Sequence, residues 1–265
     1  MDDIEELMDV ARAAAEAAGT VLRAYAGRRA SGDLRVRDKR SVRDLVTDAD
    51  VAAEAAVVEV LAARRPDDAI LGEEQAATGG SSGRRWLVDP LDGTTNFVYG
   101  RPDWCVSIAC EDAGGQEGLL AGAILDPTRE ELFMAGRGRG AWRNGTRLAP
   151  IGAVPLGQAL VNTGFHADLA LRARQAAILP GLLPKVRDLR RNGSAALDLA
   201  SVATGQADAF YEAGVHPWDW SAGGLLVLET GGRATLTDLD PKGLLVAAAP
   251  ALHDELLGLL TGLVG

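Results

Sequence analysis

The segment Trp86-Leu87-Val88-Asp89-Pro90-Leu91-Asp92-Gly93-Thr94-Thr95-Asn96-Phe97 constrains this chain more than any other. Its opening residues read as a buried strand, and that strand delivers two carboxylates to its C-terminal end. Pro90 stiffens the turn, so Asp89 and Asp92 are presented on one side together with the Leu91 carbonyl. Gly93, Thr94 and Thr95 then supply backbone N–H groups and hydroxyls at a short helix start, an arrangement that receives a phosphate dianion. Carboxylates beside an anion site repel it. The conflict resolves if hard divalent cations sit between them, with carboxylates on one side and phosphate oxygens on the other, and Mg²⁺ is the natural choice.

The rest of the chain reads as alternating elements. Apolar residues at 4, 7, 8, 11, 15, 18, 21, 22 and 25 mark an amphipathic helix over Ile4–Tyr25. A polar, basic stretch from Gly32 to Arg43 leads into Asp44-Leu45-Val46-Thr47-Asp48-Ala49-Asp50. There a Thr or Asp cap opens a second helix with Val51, Ala55, Val58 and Leu61 inward and Pro66 beyond its end. Ala69–Leu71 and Trp86–Val88 read as buried strands ending in acids, Glu73-Glu74 and Asp89/Asp92 respectively. Cys105–Cys110, Leu119–Leu125 and Glu131–Met134 read as successive antiparallel strands, and Ala141–Arg143 runs into an Asn144-Gly145 hairpin turn. After Pro155 the pattern changes. Strands are expected at Ala159–Asn162, Ala207–Tyr211, Ala234–Leu236 and Leu244–Ala248. Helices are expected near Ala167–Leu179, over Ser194–Thr204, after Trp218-Asp219 and from Pro250.

Asp89-Pro90-Leu91-Asp92-Gly93-Thr94-Thr95-Asn96-Phe97 resembles the signature of the inositol monophosphatase family of magnesium-dependent phosphatases. Further motifs stand in the family's order: Lys39 with Asp44–Asp50, Gly72-Glu73-Glu74, Gly193-Ser194-Ala195-Ala196, and Glu212 followed by Trp218-Asp219. The resemblance implies an α/β chain of the α+β type, a layered α/β/α/β sandwich like inositol monophosphatase and fructose-1,6-bisphosphatase. Residues 1–150 would form an N-terminal half carrying most metal ligands. Residues 151–265 would form a C-terminal half carrying Asp219 and substrate contacts, with the metal cluster between them.

The same resemblance implies roles. Glu73, Asp89, the Leu91 carbonyl, Asp92 and Asp219 match metal ligands, and two or three Mg²⁺ would neutralise four carboxylates and a bound phosphate monoester. One ion would lower the pKa of a water, another would stabilise the leaving alkoxide, and no protein nucleophile is required. Glu73 and Thr94 match the pair that orients and deprotonates that water, and Asp50 matches an outer carboxylate near the loosest metal. Gly93, Thr94 and Thr95 would hold the phosphate. Lys39 would lie on a segment covering the site, while Asp92, the Ala195 backbone and Glu212 would contact substrate hydroxyls. A homodimer and inhibition by Li⁺ are implied in the same way.

The expected substrate is a small polyol phosphate, inositol 1-phosphate first. Fructose 1,6-bisphosphate, histidinol phosphate and 3′-phosphoadenosine substrates are the alternatives within the family, and a non-catalytic binding protein on the same fold is the alternative outside it. With 27 Lys and Arg against 37 Asp and Glu, the net charge of −10 disfavours nucleic acid as a partner. No membrane span or secretory leader is read, and a cytoplasmic location is expected. Cys105 and Cys110 should point to opposite faces of one strand as reduced core residues. His166 and His253 read as surface or capping residues, and His216, Trp218 and Trp220 as packing around Asp219. Arg190 and Arg191 read as a phosphate-facing pair or a solvated approach to a helix, the second preferred.

Overall fold

In the computed structural model, which describes residues 3–30, 32, 34–41, 44–112 and 115–264, the expected first helix is longer at both ends, as α1 (Asp3–Ala30). Leu7, Ala11, Ala14, Ala18 and Leu22 form its buried stripe at the spacing of three and four predicted. The polar stretch after it contains a hairpin that its sequence does not suggest, β1 (Val36–Ser41) antiparallel to β2 (Asp44–Thr47). Its strands lack apolar alternation because the hairpin packs neither face into a core. Arg43 lies outside the described residues.

The second helix, α2 (Asp48–Arg64), starts as expected on a Thr47 cap, whose Oγ1 accepts the Ala49 N–H at 3.0 Å. Its inward face differs from the expected one. Ala49, Asp50, Ala53, Glu54, Val57 and Leu61 are buried, while Ala55 is exposed and Val51 and Val58 are only partly covered. Two acids belong to the buried stripe, so a face assigned from apolar residues alone comes out rotated.

Next come β3 (Ala69–Gly72), β4 (Ala77–Thr78) and β5 (Arg85–Asp92), then the short α3 (Thr94–Tyr99). Strands β6 (Cys105–Glu111), β7 (Leu119–Asp126), β8 (Glu131–Gly136), β9 (Gly140–Arg143) and β10 (Thr146–Arg147) complete an eight-stranded sheet in the order β10-β9-β8-β7-β6-β5-β3-β4. The sheet is antiparallel except for β3 and β5, which run parallel and end side by side. Cys105 and Cys110 are free thiols on opposite faces of β6, each in a different core cluster. Burial pushes both thiols up, so neither is a reactive thiolate.

The second sheet uses β11 (Leu160–Thr163), β12 (Asp188–Arg190), β13 (Ala209–Ala213), β14 (Arg233–Thr237) and β15 (Leu244–Ala248), in the order β12-β11-β13-β15-β14. Strand β12 has no apolar run to announce it. Helices α4 (Leu169–Leu182), α5 (Ala195–Ala203), α6 (Pro217–Glu229) and α7 (Pro250–Val264) complete the chain. Helix α6 begins one residue before Trp218 rather than after Asp219, because Pro217 occupies the first helical position, where its missing N–H costs nothing.

Three apolar clusters define the layers. The first joins α1 and α2 to one face of the large sheet. The second packs α5 and α6 between the two sheets, and the third covers the outer face of the small sheet with α4 and α7. The α/β/α/β layering therefore stands as expected, with α4 and α7 as a further outer layer. His253, expected at the surface, is only 3 % exposed on α7 because its turn of the helix faces that third cluster. Among the described residues no helix is long and apolar enough to cross a membrane.

Candidate active site

Strand β5 solves a problem of parity. Side chains three residues apart on a regular strand point to opposite faces, which would separate Asp89 from Asp92. Here Asp89 pairs with Ser107 and Asp92 with Cys105, so three steps on β5 match two on β6. The extra residue, at the Pro90-Leu91 step, is a bulge that turns both acids toward one pocket. Gly93 follows with φ +95°, and an added Cβ there would stand 2.7 Å from the Asp103 carbonyl oxygen, so only glycine makes this corner. Thr94 and Thr95 occupy the first turn of α3, whose N–H groups have no partner within the helix.

The pocket has a volume of about 770 Å³, and it gathers Glu73, Asp89, Leu91, Asp92 and Asp219. Gly93, Thr94, Thr95, Ala195, Glu212 and Lys39 also reach it, so eleven of the twelve residues expected to act share one space. Asp50 is the twelfth and stands behind the pocket wall, 1 % exposed. Its Oδ2 accepts the Thr47 N–H at 2.8 Å and the Thr47 hydroxyl at 2.7 Å, and Thr94 Oγ1 lies 2.9 Å from its Oδ1. It meets the pocket through Thr94. The Thr94 hydroxyl is also 3.0 Å from the Leu91 carbonyl oxygen.

Each acid of the cluster is tied to a protein donor. Asp89 Oδ1 accepts the Leu91 N–H at 3.0 Å, and Asp92 Oδ2 accepts the Ser194 hydroxyl at 2.7 Å and the Ala196 N–H at 2.8 Å. Asp219 Oδ2 accepts the His216 N–H at 2.7 Å, and Glu73 Oε1 receives Lys39 Nζ at 3.1 Å. Three helices, α3, α5 and α6, therefore start at this pocket, with their positive ends toward the carboxylates. Asp92 caps α5 across the interface of the two sheets' layers. Lys39 Nζ also lies 2.7 Å from Glu74 Oε1, so the β1–β2 hairpin is tied over the site through one ammonium.

The electrostatics show strain that the protein itself does not relieve. Burial, then the charges of Glu73, Asp92 and Asp219, holds Asp89 well above the usual carboxylate range. Burial and the neighbouring Glu73 and Asp92 do the same to Asp219. Asp92 is pushed up to about 6 by burial, against the pull of its bonds to Ser194 and Ala196. Glu74 rises to about 7 and Asp50 to about 6, burial being the main cause in each. Among the described residues no three His, Cys, Asp or Glu side chains are drawn close enough to hold an ion as they stand. All-oxygen donors under mutual repulsion are nonetheless the chemistry that a hard divalent cation completes.

The far wall of the pocket belongs to the second sheet. Glu212, on β13, is pushed up to about 7 by burial, partly offset by the Arg191 guanidinium. Gly164, directly after β11, leaves room for it, since an added Cβ would collide with the Glu212 carboxylate. Arg191 is exposed, as the solvated reading expects, and also lines the pocket; Arg190 is likewise exposed and is bonded to Asp188. His166, Asp198 and Lys242 reach the same space from the loop after β11, from α5 and from the loop between β14 and β15, and only the fold brings these distant positions together. His216 stacks on Trp218 with ring centroids 4.9 Å apart, and both also line the pocket, while Trp220 is buried in the second cluster.

The model of the inositol monophosphatase family matches residues 3–262, nearly the whole chain. The chain belongs to the inositol monophosphatase family. Within that family it is 42 % identical over 245 residues to the inositol-1-monophosphatase SuhB of Mycobacterium tuberculosis, covering 88 % of this chain and 83 % of the relative. It is 41 % identical over 261 residues to the Nus factor SuhB of Pasteurella multocida, covering 95 % and 94 %. Among solved structures, Mycobacterium tuberculosis SuhB superposes with a TM-score of 0.83 at 38 % identity and full coverage of both chains. The inositol monophosphatase of Anabaena (Nostoc) sp. PCC 7120 superposes with 0.83 at 34 % identity, covering 99 % and 98 %.

Proposed function

We propose that this chain is a Mg²⁺-dependent phosphomonoesterase that hydrolyses a small polyol phosphate, inositol 1-phosphate first. The observation that carries this reading is the bulged end of β5, which turns Asp89 and Asp92 toward Glu73 and Asp219 beside the exposed N–H groups of α3. When bound, two or three Mg²⁺ would neutralise the acids, draw in the phosphate and acidify a water. Glu73, Asp89, Asp92, Asp219 and the Leu91 carbonyl are the residues to hold them. The chain does the rest. The N–H groups of Gly93, Thr94 and Thr95 receive the phosphate oxygens. Thr94 orients the attacking water through its hydroxyl, held at 2.9 Å by Asp50, and Glu73 takes the proton. The alcohol faces Glu212 and the α5 start at Ala195, where a half-buried carboxylate accepts hydrogen bonds from vicinal hydroxyls. A homodimer in the cytoplasm belongs to the same reading. So does a small-molecule partner rather than nucleic acid or membrane, and the net charge of −10 supports the exclusion of nucleic acid.

The test is phosphate release from inositol 1-phosphate, fructose 1,6-bisphosphate, histidinol phosphate and adenosine 3′,5′-bisphosphate, with Mg²⁺ and with chelator. Mg²⁺-dependent release with inositol 1-phosphate preferred is the expected outcome. Preference for another of the four moves the assignment to that substrate, and no release from any of them rejects it. A second reading, a role in transcription, is favoured by the relatives named Nus factor, which are as similar as those named inositol-1-monophosphatase. Asp92→Asn separates the two: hydrolysis is lost, while a role that needs only the folded surface persists.

A further inference from the structure

The loop that carries Glu73 is held from behind by an acid outside the pocket. Glu54 stands one helical turn after Asp50 on α2 and is 4 % exposed. Its Oε1 accepts the Glu74 N–H at 3.0 Å, and its Oε2 accepts the Gln75 N–H at 2.8 Å and the Ala76 N–H at 3.0 Å. The Gly72 N–H donates to the Ala76 carbonyl at 2.6 Å, closing residues 72–76 into a tight turn around the carboxylate. A Cβ on Gly72 would collide with Glu54 Oε1, so the glycine admits the acid.

A buried carboxylate is costly, and a surface turn has water for its N–H groups. An acid placed here therefore needs a use that water cannot supply, namely a fixed position. The partner of that position is visible on the same helix. Residues four apart lie on one helical face, and Asp50 and Glu54 form such a pair. Asp50 grips Thr94, from the β5–α3 corner, while Glu54 grips the backbone after Glu73, from the end of β3. The two residues assigned to the attacking water thus come from different elements and are both measured off one rigid rod.

We propose that Glu54 is a positioning residue for the reaction: it sets where Glu73 stands relative to Thr94, and metal binding and water activation by Glu73 depend on it. This rests on the role given to Glu73 above.

The whole chain carrying Glu54→Gln tests it, because the amide keeps the length of the arm but turns one acceptor into a donor facing N–H groups. Three quantities are compared with the wild type. They are amide hydrogen exchange at residues 74–76 without metal, the Mg²⁺ concentration giving half the thermal shift, and kcat and KM for the preferred substrate. Exchange at 74–76 should accelerate, the Mg²⁺ midpoint should rise roughly tenfold, and kcat should fall by a similar factor. KM should change by less than about threefold, since the N–H groups of α3 are untouched. Gly72→Ala pushes the same carboxylate from the loop side and should move the Mg²⁺ midpoint in the same direction; it serves where the Gln variant does not fold. A Gln variant that melts earlier yet keeps the wild-type Mg²⁺ midpoint and kcat overturns the proposal, leaving Glu54 a purely structural acid. A wild type with neither a Mg²⁺ shift nor phosphate release removes the role of Glu73 itself, a failure seen before any variant is made.

Discussion

The two walls of the pocket are built differently. On the β5 side every acting group is tied down: Asp92 by two donors, Asp89 by the turn it caps, and Thr94 by Asp50, which is itself held by Thr47. On the β13 side Glu212 is half-buried and is balanced chiefly by the charge of Arg191, itself exposed at the mouth. Chemistry on a phosphate tolerates little displacement, so the first wall is over-determined. Recognition of an alcohol varies between substrates, and a carboxylate that answers chiefly to one charge can be altered without disturbing the first wall. Mutations on the two walls should therefore differ in kind.

The largest expected effect is on the β5 wall. Asp92→Asn keeps an oxygen to cap α5 but removes charge from the cluster, and phosphate release should fall by roughly 10²- to 10⁴-fold on every substrate with the melting temperature nearly unchanged. A rate near wild type at saturating Mg²⁺ breaks the comparison outright. Glu212→Gln comes next. It should cost about tenfold in kcat/KM on a polyol phosphate and less than about threefold on a simple aryl phosphate, which has no hydroxyls to read. Equal losses on both substrates would move Glu212 from recognition to chemistry.

A smaller effect concerns what joins the walls. Asn96 Nδ2 donates to the Asp103 carbonyl at 2.6 Å and to the Asn192 carbonyl at 2.8 Å, bridging the α3 corner to the loop before α5. Asn96→Ala leaves both carbonyls without that donor and should lower stability by about 1–3 kcal/mol in denaturant unfolding. A loss confined to activity would show that the bridge aligns the walls without bearing load in the fold. The smallest effect lies at the outer rim. Arg174 donates to both oxygens of Asp240, at 2.8 and 3.0 Å, and this holds the Asp240 carboxyl below its usual range. Such a group stabilises the fold above the ordinary carboxylate pKa, and the contribution is lost as pH falls through the lowered value. Asp240→Asn should cost up to about 1 kcal/mol at pH 7 and nothing once the pH lies well below the lowered value, read from melting curves across pH.

What could be read in advance follows the range of the interactions. The β5–α3 corner was legible because its parts lie within twelve consecutive residues: an apolar strand, a proline, two acids and a glycine that only one backbone shape accommodates. The long α1 was legible from periodicity. The inward face of α2 was not, because its stripe includes Asp50 and Glu54, acids whose burial is settled by Thr47 and Thr94 and by the N–H groups of residues 74–76. His253 was misplaced for the same reason, since the elements opposite it decide whether it meets a core or water.

The sequence by itself determined the family, the order of strands and helices apart from the β1–β2 hairpin, β4 and β12, and the identity of the acids, since motif residues and periodic apolar positions are local properties. Tertiary structure alone decided that Asp92 caps a helix a hundred residues away, that Asp50 serves Thr94 from behind the wall, and that Glu212 shares a pocket with Asp89. Those relations depend on which sheet edges and helix ends meet when the layers close, and burial, not sequence spacing, sets that geometry.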